Sequence, residues 1–117
     1  MSELQSRYLS DLLRGNNDAL VLFLVKELDN AYGYQLIKEI KSRSDGFFTF
    51  KEGTVYPTLH RLENEGLLKG KWEEMPNGQE RRYYSITEKG NETLEKKLAV
   101  WESFSNAMNL IINPDKV

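Results

Sequence analysis

One stretch, KEGTVYPTLHRLENEGLL at residues 51–68, constrains the fold of this chain more than any other. Val55, Leu59 and Leu62 recur at i, i+4 and i+7, the spacing of one face of a helix. Pro57 falls within that pattern, although a proline in a helix interior costs about 3 kcal/mol. The cost is small where the helix begins just before the proline, because first-turn N–H groups have no intrahelical partner. The sequence therefore predicts a short helix with Thr54 as N-cap, Pro57 in its first turn and Gly66 as C-terminal cap.

Three helices are predicted before this stretch, at residues 6–15, 16–28 and 33–43. The helix at 16–28 starts with capping residues and then runs almost wholly apolar, so we expect it at the centre of the core. In the helix at 33–43, Leu36, Ile37 and Ile40 are predicted to face inward. The aromatic-rich segment SDGFFTF is expected to be an extended connector held against the core by its phenylalanines.

A β-hairpin and a long helix are predicted to follow. Pro76-Asn77-Gly78 is typical of a turn, and it separates two segments rich in β-forming residues, at 69–74 and 80–86. Thr87 suits the N-cap of a last helix at 88–112. Three core helices followed by a hairpin are the winged helix-turn-helix arrangement, and the core helices predicted here are those at 16–28, 33–43 and 54–66. The predicted class is mainly α (α+β), with a winged helix-turn-helix domain at 1–87, its wing at 68–87, and a dimerisation helix within 88–117.

Polar groups at the start of the third core helix suit the major groove of DNA. Its first turn is predicted to display Thr54, Tyr56 and Thr58, with Arg61 one turn later. Hydroxyl groups bind phosphates or base edges, and arginine can pair with guanine through two hydrogen bonds. The alternative is that Tyr56 only packs and that Arg61 is a solvated surface charge.

The predicted hairpin carries a second polar group of residues. Asn77 lies at its tip, and Arg81 and Arg82 lie on the return strand, where they can reach a phosphate backbone. The alternative is an ordinary charged hairpin. Its aromatic residues Trp72, Tyr83 and Tyr84 are expected to pack the wing onto the domain.

Composition excludes several functions. The chain has no cysteine and a single histidine, His60, and it contains no glycine-rich phosphate loop. We therefore expect no enzyme activity, no metal and no cofactor. The longest apolar run, ALVLFLV, is far shorter than the roughly 20 residues of a membrane span, and the N-terminus does not fit a signal peptide, so a cytoplasmic protein is expected. The net charge of −2 argues mildly against DNA, but residues 31–90 hold ten Lys/Arg and nine Asp/Glu.

The last predicted helix carries a wide apolar seam. We expect its large side chains to form a homodimer interface, since a second copy across a two-fold axis is the simplest cover for such a stripe. The interface residues predicted are Leu94, Leu98, Trp101, Phe104, Met108, Ile111 and Ile112.

Three segments together resemble one protein family. GYQLIKEI, GTVYPTLHRLENEGLL and ERRYYSITEKG, in this order and spacing, are similar to the PadR family of bacterial transcriptional regulators. The resemblance runs from about residue 12 to the end of the chain, and its single C-terminal helix is like that of the short-tailed subgroup. It implies a homodimeric repressor that binds double-stranded operator DNA. As a departure from the pattern, Glu73, Glu74 and Glu80 lie among the basic residues of the wing.

Motif by motif, the resemblance also implies site residues. Tyr34 and Lys38 at the second core helix and Lys51 before the third join the DNA contacts named above. In short-tailed relatives the two terminal helices flank a cavity at the dimer interface, where a tryptophan faces its mate and flat aromatic compounds insert in some members. The resemblance therefore implies a site for a small aromatic ligand, lined by Trp101, Phe104 and Met108 together with Tyr8 or Leu12. The alternative for Trp101 is simple dimer core. A winged-helix adaptor for protein contacts, without DNA binding, is the alternative function.

Overall fold

The computed structural model describes residues 2–116, so Met1 and Val117, the outer ends of the predicted ranges 1–87 and 88–117, lie outside it. Within the described residues, five α-helices and one antiparallel hairpin follow each other, and the predicted mainly α class with a small sheet is confirmed. The elements are α1 Glu3–Arg14, α2 Asn17–Leu28, α3 Gly33–Arg43, α4 Glu52–Asn64, β1 Leu68–Glu74, β2 Glu80–Ile86, α5 Glu88–Ile112 and a 3-10 turn at Pro114–Lys116.

The helix α1 begins earlier than residue 6. The Ser2 hydroxyl accepts a hydrogen bond from the Gln5 N–H (3.1 Å), and the Gln5 side chain accepts one from the Ser2 N–H (3.0 Å). This reciprocal capping box satisfies two N–H groups that a helix start leaves free. The Ser-x-x-Gln pattern is therefore a helix-start signal in the sequence, and it places the first residue of α1 at Glu3, three residues before the predicted start.

The core is built around α2, as the apolar run predicted. Val21, Leu22, Leu24 and Val25 are buried there. They pack in one cluster with inward residues of the neighbouring helices, chiefly Leu36, Ile40, Val55, Leu59 and Leu62. Burying a side chain of this size contributes about 1.5–3 kcal/mol, so these three helices hold each other in place. Among the helices of residues 2–116, none is both long enough and apolar enough to cross a membrane.

The start of α4 corrects the prediction for Thr54. Lys51 is the N-cap, because its carbonyl accepts hydrogen bonds from the N–H groups of Thr54 (2.9 Å) and Val55 (3.0 Å). Pro57 therefore lies beyond the first turn. The bond it cannot make would go to the Gly53 carbonyl, and both residues lie on the exposed side of α4, where water can serve that oxygen.

The end of α4 agrees with the prediction. Gly66 has φ +79°, its N–H donates to the Glu63 carbonyl, and the next N–H, of Leu67, donates to the Leu62 carbonyl. This pair of bonds is the Schellman arrangement, in which a left-handed residue closes the helix. Thr87 caps α5 as predicted, because its hydroxyl accepts from the Gly90 N–H (3.0 Å).

The wing is attached to the helices by β2. The strands pair in the register Leu68↔Ile86 to Glu74↔Glu80. Ala31, between α2 and α3, forms an isolated β-bridge with Tyr84 through two backbone hydrogen bonds (2.7 and 2.9 Å), which the sequence did not predict. Tyr84 is buried and Tyr83 half-buried, but Trp72 is 58% exposed, so the expectation that Trp72 packs the wing onto the domain was wrong.

The aromatic connector before α4 is anchored at its far end. Phe50 is buried and Phe48 is half-buried against the core, whereas Phe47 is exposed. Two of the three phenylalanines therefore fix this segment, and they set where α4 begins.

Two helices extend beyond the compact part. Every side chain of α1 is exposed or half-buried, and within α5 burial is confined to Gly90 and Leu94 near its start. The Cα radius of gyration is 16.1 Å. A compact chain of this length has about 13 Å. The difference arises because the later turns of α5 project away from the core.

Candidate nucleic-acid interface

The outward face of α4 is defined by its buried face. Val55, Leu59 and Leu62 are fully buried. Residues follow one another at about 100° around a helix, so the opposite face carries Gly53, Pro57, His60 and Asn64. All four of these residues are exposed. This outward face of α4 is the candidate surface for contact with a DNA groove, and the start of α3 and the wing are its neighbours in the fold.

The three hydroxyl-bearing residues predicted to face DNA are placed differently from one another. Tyr56 is exposed at the edge of α4, and Thr54 is half-buried. Thr58 is buried, and its hydroxyl donates to the Thr54 carbonyl (2.7 Å). The structure therefore corrects the prediction for Thr58: the side chain lies on the inner face of α4 with its hydrogen already bonded.

Tyr56 joins α4 to the start of α3. A Cβ atom built on Gly33 would lie 2.5 Å from Cε1 of the Tyr56 ring. The ring therefore needs a glycine at the first position of α3. The alternative that Tyr56 packs is correct for one face of its ring, while the side chain stays partly exposed.

The start of α3 adds two more of the predicted residues. Tyr34 is exposed, and the Lys38 Nζ atom lies 4.7 Å from its ring centroid. Lys51 is exposed at the start of α4. These side chains supply two cations and an aromatic hydroxyl in the early turns of α3 and at the start of α4.

The wing contacts the start of α3 through Arg81. The Arg81 guanidinium carbon lies 4.0 Å from the Tyr32 ring centroid, and Tyr32 packs edge-on against Tyr83 at 5.4 Å. A hydrogen bond to the Tyr83 hydroxyl raises the pKa of Arg81, so the group stays charged. The return strand of the wing thus places a fixed positive charge next to α3. Asn77 lies in the exposed turn, where its side-chain oxygen accepts from the Gln79 N–H (3.0 Å).

Arg61 forms ion pairs within the protein. Its Nη2 lies 2.5 Å from Asp18 Oδ1, its Nη1 lies 3.0 Å from Asp18 Oδ2, and Glu65 is 3.3 Å away. The hydrogen bonds to Asp18, followed by those to Glu65, raise the pKa of Arg61 above its ordinary value. Arg61 is therefore ion-paired within the single chain, with half of its side chain exposed, and its predicted contact with DNA stays a prediction.

Arg82 also forms an ion pair within the protein. Its Nη2 lies 2.6 Å from Glu63 Oε2 on α4, and both side chains are about three-quarters buried. The guanidinium lies over Gly70 and beside the rings of Trp72 and Tyr84. Of the two wing arginines predicted to contact DNA, Arg81 lies next to the start of α3, whereas Arg82 binds Glu63 of α4.

Sequence reasoning missed His60 and Asn64. The apolar stripe was used to find the buried face of the helix but not its opposite. The same spacing of about 100° per residue places these two side chains at the centre of the exposed face. Both carry groups that can hydrogen-bond base edges.

In a single chain the predicted interface residues of α5 are exposed to solvent, with one exception. Leu94 is 2% exposed and belongs to the core of its own fold, because it packs in the cluster around α2. The other predicted interface residues are exposed: Leu98, Trp101, Phe104, Met108, Ile111 and Ile112. On α1, the exposed residues Leu4, Tyr8 and Leu12 form a second apolar stripe.

Comparison with known proteins gives one consistent result. Residues 21–96, more than half of the chain, match the family described as Transcriptional regulator PadR-like family. A PadR family transcriptional regulator from Eggerthella lenta is 31% identical with a TM-score of 0.79, covering 95% of this chain and 94% of that one. A PadR-like transcriptional regulator from Bacillus cereus is 30% identical with a TM-score of 0.75, covering 88% and 97%. Bacillus subtilis PadR, solved in complex with operator DNA, shares the fold at 23% identity, with a TM-score of 0.65 over 71% of this chain and 46% of that one.

Proposed function

Because the chain belongs to the transcriptional regulator PadR-like family, we propose that it is a homodimeric repressor that inserts α4 into the major groove of a pseudo-palindromic operator. The single observation that carries this proposal is the exposed polar face of α4, beside which Tyr56 meets the start of α3 and Glu63 meets the wing. Bacillus subtilis PadR, which has the same fold, was solved with operator DNA bound.

The proposed contacts fall into two groups. Phosphate contacts come from Lys51 at the start of α4 and from Lys38 and Arg81, which lie against the rings of Tyr34 and Tyr32 at the start of α3. Base contacts come from the outward face of α4, with His60 and Asn64 at its centre and Tyr34, Thr54 and Tyr56 beside its first turns. Asn77 at the wing tip reaches the adjacent backbone.

The dimer is needed for affinity. One module presents few unpaired cations, so it would bind weakly, whereas two joined copies gain from effective concentration. The exposed seam of α5, with the apolar stripe of α1, supports a two-fold interface between copies. In this proposal residues 2–87 form the DNA-binding unit and residues 88–116 the dimerisation unit.

Selection of bound sequences from a random pool of duplex DNA tests the function. We expect a palindromic motif with half-sites about 10 bp apart, bound with an affinity that falls steeply as salt rises. In the same selection, His60→Ala should relax the preference at one base position of each half-site and weaken binding by about 1–3 kcal/mol, the usual effect of one lost base contact. The His60 side chain is exposed, so the unfolding midpoint should stay unchanged. Failure to enrich any motif, with binding insensitive to salt, would favour the protein-adaptor alternative.

We further propose that a small flat aromatic ligand inserts between the two α5 helices and releases the dimer from DNA. The support is the exposed cluster of Trp101, Phe104 and Met108, since aromatic and thioether groups stack well on flat aromatic rings. A ligand that binds one dimer geometry better than another shifts the population toward it, which changes the distance between the two α4 helices.

Tryptophan fluorescence tests the ligand site, because the chain has two tryptophans that can be removed singly. We expect the emission of the Trp72→Phe variant, in which Trp101 is the reporter, to change as a planar aromatic dye is added. The matched Trp101→Phe variant, in which Trp72 reports from the wing, should not respond. Equal responses from the two variants, or none from either, would contradict a site at Trp101.

A further inference from the structure

We infer that two ion pairs on opposite flanks of α4, Asp18–Arg61 and Glu63–Arg82, set the angle at which α4 is presented to DNA. Arg61 and Arg82 are then positioning residues, which influence DNA binding without touching DNA. This inference rests on the proposed DNA-binding function and refines it, since it removes two of the three arginines predicted on α4 and the wing strand from the contact surface.

The first ion pair joins α4 to α2. Both oxygens of Asp18 accept hydrogen bonds from Arg61, at 2.5 and 3.0 Å, a two-bond geometry that fixes direction as well as distance. Asp18 lies in the first turn of α2, where the helix dipole favours a carboxylate. The Asp18 side chain is about four-fifths buried, so this pair is more ordered than an ordinary surface pair.

The second ion pair joins α4 to the wing. A single oxygen of Glu63, Oε2, accepts from Arg82 Nη2 on β2 (2.6 Å) and from the Gly70 N–H on β1 (3.2 Å). A Cβ atom on Gly70 would lie 2.6–2.8 Å from the Arg82 guanidinium, so the glycine makes the space in which the guanidinium lies. One carboxylate of α4 therefore binds both strands of the wing.

The two pairs act on opposite sides of the helix. Taken from the buried stripe of Val55, Leu59 and Leu62, Arg61 lies about 125° around α4 in one direction and Glu63 about 75° in the other. Apolar contact along one stripe holds a helix against the core but resists rolling about the helix axis poorly, because it is non-directional. Directional bonds on both flanks resist that rolling, and rolling would move His60 and Asn64 relative to a groove.

The competing explanation is that Arg61 leaves Asp18 and binds a phosphate when DNA arrives. The two explanations differ in the sign of one effect. If Arg61 binds DNA, Asp18→Asn removes a competing anion and binding strengthens. If Asp18 positions α4, the same substitution weakens binding, although it makes the protein less negative.

The experiment measures operator affinity of the full chain against salt concentration, at a temperature where each variant is fully folded. We expect Asp18→Asn and Arg61→Lys each to weaken binding about fivefold, which corresponds to about 1 kcal/mol of binding free energy. The slope of log K against log salt concentration should stay unchanged. Arg61→Lys is informative because lysine keeps the charge a phosphate contact needs but loses the two-bond geometry. The matched control is Asp29→Asn, at the other end of α2 and at a positive φ that asparagine tolerates, and it should not weaken binding.

The second pair is tested in the same way. Glu63→Gln should weaken binding about threefold or more. Its control, Glu74→Gln, removes an exposed carboxylate that faces Glu80 across the same wing, and it should leave binding unchanged or slightly stronger. Stronger or equal binding by both Asp18→Asn and Glu63→Gln, or unchanged operator affinity of Arg61→Lys, would overturn the inference while leaving the DNA-binding function intact. Absence of operator binding by the unmodified chain would instead overturn the proposed function itself.

Discussion

Replacing Phe104 with glutamate is expected to convert the proposed dimer into monomers and to weaken operator binding by about 100-fold or more, the typical gain from joining two binding modules. Phe104 is 58% exposed in the single chain and lies in the middle of the α5 seam, between Trp101 and Met108. Across a two-fold axis each substitution occurs twice, so two carboxylates would enter an apolar interface together. Burying an unpaired charge costs far more than the apolar contact it replaces.

Ser103→Glu is the matched control for Phe104→Glu. It adds the same charge one residue earlier on α5, on the side opposite Leu94 and away from the seam. We expect Ser103→Glu to remain dimeric by sedimentation and to bind the operator as the unmodified chain does. If Phe104→Glu stays dimeric and binds fully, the α5 seam is not the dimer interface.

Replacing Gly90 with alanine is expected to lower the free energy of unfolding by about 3 kcal/mol or more, the upper end of the cost of one extra carbon in a packed site. A Cβ atom at Gly90 would lie 2.1 Å from the Leu67 backbone oxygen and 2.7 Å from Ile86 Cγ1. Neither is the free end of a flexible side chain, so relief requires moving the first turn of α5 away from the end of α4. A loss of this size is a large part of the 5–15 kcal/mol that stabilises a typical domain.

Gly53→Ala is the control for Gly90→Ala. Gly53 also lies in the early part of a helix, but nothing lies within 4 Å of its added Cβ. Alanine should therefore raise the free energy of unfolding by about 0.5–1 kcal/mol, because glycine is the poorer helix former. Denaturant unfolding at a fixed protein concentration measures both changes, since dimer formation makes stability depend on concentration. Equal stability of the two variants would mean that Gly90 packs less closely against Leu67 and Ile86 than the structure has it.

The elements were predictable because their signals are local. The helix α3 at Gly33–Arg43, the start of α5 after Thr87 and the closure of α4 at Gly66 agree with the sequence, since caps and periodic apolar residues act within one or two turns. The start of α4 was misplaced by the rule that favours proline in a first turn. The exposed position of Pro57, where the unmade bond can face water, is a property of packing.

The candidate site was predictable by region but not by residue. The sequence located α4 and the wing, yet it could not assign Arg61 and Arg82, whose partners Asp18 and Glu63 lie 43 and 19 residues away along the chain. Leu94 and Trp101 share one apolar periodicity, although the first is buried in its own core and the second is exposed. A periodicity identifies a face, whereas the neighbour that covers that face comes from elsewhere in the chain or from another copy.

By itself, then, the sequence determined which segments form helices and strands, in what order, and which family they belong to, because those properties depend on residues close together in the chain. Only the tertiary structure decided which cations remain available to a ligand and which bind the protein's own carboxylates. The physical reason is that a charged group pairs with whatever opposite charge the folded chain brings within about 3 Å, and that distance is set by the packing of α2, α4 and the wing.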